Sequence, residues 1–406
     1  VKQRLRLGEE SMDGGWRRRG RTTVKGTWKK WLLTGLMLTA PAVSAATVWE
    51  PRLRISAEER YDDDLRLGAG ATGGQLMTKL SPRLGVEGQD ERLNLNSYYA
   101  ADVLMRHGSG KVTLDHRGGL ELRHLLSRRL RVDTNVRVFR VTDPTSLPRD
   151  GLARSTSPTF FTQARLGLTA RASERVDVRV AYGMEVVRIL ENGQEPGYAH
   201  TPSLEVMFRT TRRLTLGMEY RYQGFFYDNS LAQAHGAAAT LRYRLTRPTT
   251  FIARGGPVRY LAPDGQEGGW VPRVNLELAR EGEWFDLGVA VGHDLVGASG
   301  FATALWADYA SLMLARRFDH QFSAFGAASF FRNGRAPSRD WTTFGSTPLV
   351  SQGYAVGAGV EYRFNRQVAA QGAVDRIAQV GVAESAGAAG DLTRNVFAVR
   401  LIVTAW

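Results

Sequence analysis

Arginine and glutamate recur at every second position along several stretches of this sequence. Arg242 and Arg244 are two apart, Glu219 and Arg221 are two apart, and so are Glu361 and Arg363. Even spacing puts side chains on one face of an extended strand, because successive Cβ atoms point to opposite sides. The same phase gathers Arg137, Arg165, Arg179, Glu185, Arg209, Arg273, Glu277 and Arg400, together with Arg131, Asp133, Asp177, Glu205 and Asp286. Two chemistries suit such rows. Guanidinium and carboxylate groups on neighbouring strands can neutralise one another, or an excess of arginine can line a path for an anion. Glycines of that face (Gly183, Gly217, Gly288, Gly292, Gly357, Gly359) would leave space in front of them.

Other reactive groups are sparse. The seven histidines (107, 116, 124, 200, 235, 293 and 320) include no HExxH pair. His116 with His124, or His235 near Ser230, could be imagined in a Ser-His hydrolase at a membrane rim, but such placements arise by chance. The chain is therefore read as a non-enzyme without cofactor or metal. Tyr61-Asp62-Asp63-Asp64 is an acidic run that could hold a cation or simply form an exposed first loop. Cysteine is absent, which removes disulfides and thiolate metal sites.

The elements that position these groups are alternating strands. In residues 176–187, Val176, Val178, Val180, Tyr182, Met184 and Val186 share one face; Asp177, Arg179, Ala181, Gly183 and Glu185 share the other. A helix with this pattern would carry charge around its whole circumference. The pattern recurs at Leu214–Tyr222, Ala237–Leu245 and Tyr354–Phe364, with aromatic residues near strand ends, as interfacial girdles require.

Counting such units predicts strands near 51–61, 75–87, 92–106, 111–124, 130–141, 159–171, 176–188, 201–210, 214–227, 235–246, 249–261, 269–279, 284–295, 301–316, 321–332, 351–364, 367–380 and 394–406. Odd-numbered units tend to precede the longer connections, such as 62–74, 142–158 and 333–350. Even-numbered ones precede tight turns such as 88–91, 172–175 and 280–283. Bacterial outer-membrane barrels have short periplasmic turns and longer outer loops. A soluble sandwich would not sort its connections by parity, and a sheet this wide must close to lose its edges. The fold expected is all-β, a transmembrane antiparallel up-and-down β-barrel of eighteen strands with both ends periplasmic. Sixteen is the alternative, because 51–61 and 249–261 are weakly patterned.

No run of eighteen apolar residues exists, so a helical span is excluded on length. The mean hydropathy of −0.27 suits a barrel, in which only every second residue meets lipid. Residues 1–45 read as a signal peptide: a basic stretch from Arg17 to Lys30, a short apolar stretch from Trp31, and the small-residue sequence Val43-Ser44-Ala45. Residues 46–406 are then the barrel. The formal charge of +14 is shared equally, +7 on residues 1–45 and +7 on the remainder. The high charge is thus no sign of a nucleic-acid partner. Expected partners are outer-membrane lipid and lipopolysaccharide.

The last unit places Phe397, Val399, Leu401, Val403 and Ala405 on one face and ends at Trp406. It resembles the signal read by the barrel-assembly machinery, though Trp406 is one residue out of the usual phase. Three further motifs carry a family resemblance: Glu58-Glu59-Arg60-Tyr61-Asp62-Asp63-Asp64, Leu80-Ser81-Pro82-Arg83-Leu84-Gly85 and Leu93-Asn94-Leu95-Asn96-Ser97-Tyr98-Tyr99. They resemble outer-membrane β-barrel porins of exopolysaccharide secretion gene clusters (Wzx/Wzy-type) in myxobacteria and related Gram-negative bacteria. The resemblance implies a passage for a secreted polysaccharide, working with a periplasmic polysaccharide-export protein. From the residues alone, passive diffusion or uptake of small anionic solutes is the alternative.

Overall fold

A computed structural model describes residues 47–63, 73–142, 158–190, 196–227, 230–262, 268–297, 304–335, 349–381 and 392–405. The segment 1–45 and Trp406 lie outside these residues, and with them the signal-peptide and terminal-aromatic readings. The strands are β1 (Val48–Asp62), β2 (Gln75–Gln89), β3 (Leu93–Arg106), β4 (Val112–Ser127), β5 (Leu130–Val141) and β6 (Thr159–Arg171). They continue as β7 (Val176–Ile189), β8 (Gly197–Arg209), β9 (Leu214–Tyr227), β10 (Ser230–Arg244), β11 (Thr249–Leu261) and β12 (Trp270–Glu281). The last six are β13 (Phe285–Gly297), β14 (Ala304–Arg317), β15 (Phe322–Arg335), β16 (Leu349–Arg363), β17 (Val368–Gly381) and β18 (Leu392–Ala405).

Each strand pairs antiparallel with its neighbours in the chain, and β1 pairs with β18 from Leu53↔Ala405 to Asp62↔Val396. The sheet is a closed 18-stranded barrel. The weakly patterned units 51–61 and 249–261 are full strands, which removes the sixteen-strand alternative. Connections after even strands have two to four residues, while those after odd strands have five to seventeen, except the two-residue β9–β10 link. The short-turn end is the periplasmic one.

Side chains in these turns hold the next strand's amides, so each hairpin closes locally. The Asp90 carboxylate accepts from the Thr47 hydroxyl and the Arg92 and Leu93 N–H groups, each at 2.6 Å. Asp319 accepts from Gln321 N–H at 2.6 Å and Phe322 N–H at 2.7 Å. These bonds favour the charged forms and hold both carboxyls below their usual range. Ser173, Thr211 and Asn365 serve three other turns in the same way.

The outer face is apolar and open: Met218 is 74% exposed, Val399 67% and Leu84 62%. In water such a surface would aggregate; between the two rims of a barrel it is the lipid face. Prolines of this face interrupt the ladder on one side only. Pairing lapses between β2 and β3 at Pro82, between β8 and β9 at Pro202, and between β10 and β11 at Pro257. Each proline keeps its partner on the other side, as a residue without an N–H allows. Beside Pro257, Gly256 lies so close to β10 that an added Cβ would stand 1.9 Å from the Ala237 carbonyl oxygen. Gly256→Val is expected to force the two strands apart and to destabilise the barrel by about 1–3 kcal/mol. Urea unfolding in detergent micelles measures this, and an unshifted midpoint would contradict the close approach.

Candidate functional site

The inner face carries the charged rows, and it divides into three regions. The largest is a cavity of about 2150 Å³ bounded by β1–β5 and β14–β18. Its two walls differ in chemistry. On β1–β4 and β18 stand Arg54, Lys79, Arg83, Arg117 and Arg400, interleaved with Glu58, Asp102 and Asp115. Beside them, β14–β16 offer a stretch of small, uncharged residues (Ser311, Ala315, Ala327, Ser329, Ala355 and Gly357), bordered by Glu361, Arg363 and Asp375.

Most of the carboxylates around the cavity are engaged. Asp102 accepts from Arg117 at 2.7 and 2.9 Å and lies 3.0 Å from the Lys79 ammonium. Glu58 is paired with Arg400, and Glu361 accepts from Arg363 at 2.7 Å. Asp115 is held by the N–H and hydroxyl of Thr142, at 2.8 and 2.6 Å. Arg54 is different. It stands directly opposite Arg83 in the β1–β2 register, with Arg400, Glu361 and Arg117 also in electrostatic reach. Like charges placed opposite one another repel, and among the described residues Arg54 has no ion pair within 4.0 Å. Arg83 lies over the Tyr98 ring of the neighbouring strand, 3.7 Å from its centroid, which holds the guanidinium at the wall.

The second region fills the extracellular half of the β8–β13 side. The β12–β13 ladder stops at Val274↔His293, just below Pro272, whereas β13–β14 pairing continues to Gly297↔Ala304. Released from β12, the top of the β13–β14 hairpin reaches β9, four strands away. Arg221 donates to Asp294 at 2.6 Å, and Gln223 donates to the Leu295 carbonyl at 3.4 Å. Arg273 completes the network, 3.1 Å from Glu219 and 3.2 Å from Asp294. Above it, Leu295 and Trp306 are buried with Phe225, Ala232, Val258, Tyr260 and Val271 in an apolar cluster. The top of the β13 and β14 strands thus lies inside the lumen, against β9. The third region is a 220 Å³ pocket at the periplasmic mouth, walled by Arg212, Arg213, Arg242 and Arg244 with Thr215 and Ile252.

The residues singled out from sequence therefore do not form one ladder. Arg137, Glu361, Arg363 and Arg400 border the main cavity. Glu219, Arg221 and Arg273 meet in the ionic network, and Arg242 with Arg244 stand at the periplasmic pocket. Glu277 lies 3.6 Å from Arg254, and Arg209 pairs with Asp177. Arg165 and Arg179 stand on the inner face of β6 and β7 within electrostatic reach of each other, and Glu185 is buried there. Sequence reasoning missed Arg54, Lys79, Arg83, Arg117 and Asp294. The even run Arg52, Arg54, Ser56, Glu58, Arg60 was available as a signal, but Glu59 on the opposite face obscured its phase.

The acidic run is corrected by the structure. Asp62 belongs to β1, not to a loop, and it is buried against Arg394, so it offers no carboxylate to a cation. Asp63 receives the Asn395 backbone N–H, and Asp64 lies outside the described residues. Among the described residues no group of three metal-capable side chains converges. His116 and His124 are at opposite ends of β4, and the His235 ring nitrogen is bonded to the Tyr220 hydroxyl at 2.8 Å.

A closed barrel with an apolar outer band and a polar interior decides the setting. The chain is an outer-membrane β-barrel. No protein-family model matches it, and no curated protein does. Solved structures are similar in outline. The outer-membrane protein OpdK of Pseudomonas aeruginosa aligns at 9% identity and a TM-score of 0.42, over 88% of this chain and 99% of its own. OccK7 (OpdD) of the same species gives 9% and 0.43 over 89% and 98%; Acinetobacter baumannii OccAB1 gives 11% and 0.40 over 88% and 96%.

Proposed function

We propose that this outer-membrane barrel passes small anionic solutes through the cavity between β1–β5 and β14–β18. The observation that carries the reading is Arg54, opposed by Arg83 in the register and in no ion pair within 4.0 Å among the described residues, with three cations against one acid (Glu361) in electrostatic reach. Arranged so, two cations are stabilised by an anion that comes between them. The stretch of small, uncharged residues on β14–β16 leaves room for the rest of a solute. The engaged carboxylates stabilise the wall but leave a net positive lining, since Arg and Lys outnumber Asp and Glu around the cavity.

Passage of an exopolysaccharide rests on the sequence resemblance alone. The residues of that resemblance are parts of the wall: Glu58–Asp62 in β1, Leu80–Gly85 in β2 and Leu93–Tyr99 in β3. Their contacts, such as Glu58 with Arg400, build a barrel and name no cargo. Swelling of liposomes holding the reconstituted barrel separates the readings. A monosaccharide carboxylate is expected to enter about tenfold faster than an uncharged monosaccharide of the same size, from a field of about 1–1.5 kcal/mol per charge. Equal rates would count against the proposal. Loss of surface polysaccharide on deletion of the gene, with synthesis intact, would favour the secretion reading.

A further inference from the structure

The lipid-facing side of the barrel carries charge where an apolar surface is expected, and it does so in a repeated form. Tyr99 on β3 is bonded through its hydroxyl to His116 Nδ1 on β4 at 2.6 Å, and His116 stands opposite Arg140 of β5 in the register. Six strands on, Tyr220 of β9 is bonded to His235 Nδ1 of β10 at 2.8 Å, and His235 stands opposite Arg259 of β11. Both triplets share the outward face with Leu114 and Val136, or with Met218 and Leu241. In both, the histidine and arginine lie in the extracellular halves of their strands, and Tyr99 and Tyr220 stand near the middle of β3 and β9.

The remaining outward positions make the pattern selective. From β3 to β12, no outward position among the described residues is Asp or Glu. Arg188 and His200 add to the extracellular end of the same face, and between the rims that face holds no charge at all. A guanidinium on an apolar surface that holds no acid is stabilised when an anion lies over it. Tyr bonding at Nδ1 leaves Nε2 of each imidazole directed away from the pair, where it can donate. Arg140 is braced by a 3.0 Å bond to the Leu114 carbonyl, and Arg259 lies 5.8 Å from the Trp270 ring centroid, so each guanidinium is held at the rim.

We infer that the two Tyr-His-Arg triplets bind the phosphate groups of outer-leaflet lipopolysaccharide, one lipid at each. The position fits that partner. The triplets sit in the outer-leaflet half of the apolar band, below Met105, Val112 and Leu114 at the first and Leu231 at the second, from where the long arginine side chains can snorkel toward the headgroups. Guanidinium with imidazole N–H matches the tetrahedral oxygens of a phosphomonoester. The inference does not depend on what passes through the lumen.

Native mass spectrometry of the detergent-solubilised barrel tests it, with bisphosphoryl lipid A, dephosphorylated lipid A and a zwitterionic phospholipid as probes. Bisphosphoryl lipid A is expected to be retained in up to two copies, and dephosphorylated lipid A about tenfold more weakly. The double variant Arg140→Gln/Arg259→Gln is expected to lose that difference, while Arg140→Lys/Arg259→Lys keeps most of it. Retention that ignores the phosphates, or a folded double glutamine variant that binds as the native protein does, would overturn the inference. Should the glutamine variant fail to fold, His116→Gln/His235→Gln is read in its place with the same outcomes. Displacement of lipid A by millimolar inorganic phosphate would reassign the triplets to a free anion.

Discussion

Replacing Arg54 with glutamate is expected to turn the channel from anion-preferring to cation-preferring, with the ion-permeability ratio falling about tenfold. The size follows from charge and distance. At separations of about 8 Å and an effective dielectric constant of about 20–80, one unit charge contributes about 0.5–2 kcal/mol, and this exchange alters two units. Salt screens the effect, so it is largest below about 0.1 M. The mutation also gives Arg83 a cross-strand acid where it now faces a cation, so the barrel itself should be no less stable. Arg54→Lys separates charge from shape, and its selectivity should stay close to native. The zero-current potential across a planar bilayer with a salt gradient reads the ratio directly. If it is unchanged by Arg54→Glu, permeating ions do not pass along the β1–β2 wall, and the anion-channel proposal fails with it.

Much of this barrel was legible in the sequence, for a simple physical reason. A strand between lipid and water must alternate, so eighteen alternating units and the parity of their connections carry the architecture. Legibility ended where a contact joins distant strands. Nothing local marks Asp294 as the partner of Arg221, because their meeting depends on the β12–β13 ladder stopping near Pro272. Periodicity gave the face of Arg221 and Arg273 but not their use, which is to hold the top of β13 inside the lumen. The run Tyr61–Asp64 misled for the opposite reason. Consecutive acids suggest an exposed loop, yet strand alternation turns Asp62 inward and leaves Tyr61 on the outer face. Tyr99, His116 and Arg140 were likewise invisible as a group, since register alone brings three separate strands together.

The largest stability effect is expected at the seam where the barrel closes, on Asp62→Ala. Asp62 and Arg394 are 0% and 2% exposed, the guanidinium Nε lying 2.9 and 2.8 Å from the two carboxylate oxygens. This pair joins the extracellular end of β1 to β18, while Glu58 and Arg400 join the same strands one turn of the register lower. No hairpin links β1 to β18, so their pairing brings together segments more than 300 residues apart, which makes it entropically costly to form. Removing the carboxylate takes away the acid that Arg394 and Arg60 share at this buried point, at a cost of about 3–5 kcal/mol. The double variant Asp62→Leu/Arg394→Met removes both charges and is expected to recover all but about 1–2 kcal/mol, because the desolvation penalty of the pair disappears with them while Arg60 gives up its 3.4 Å contact with Asp62. Guanidinium unfolding in detergent micelles, followed by tryptophan fluorescence, gives both values. A single variant as stable as the native barrel would show that water reaches Arg394. A double variant no better than the single would show that the pair sets the register of closure rather than merely neutralising itself.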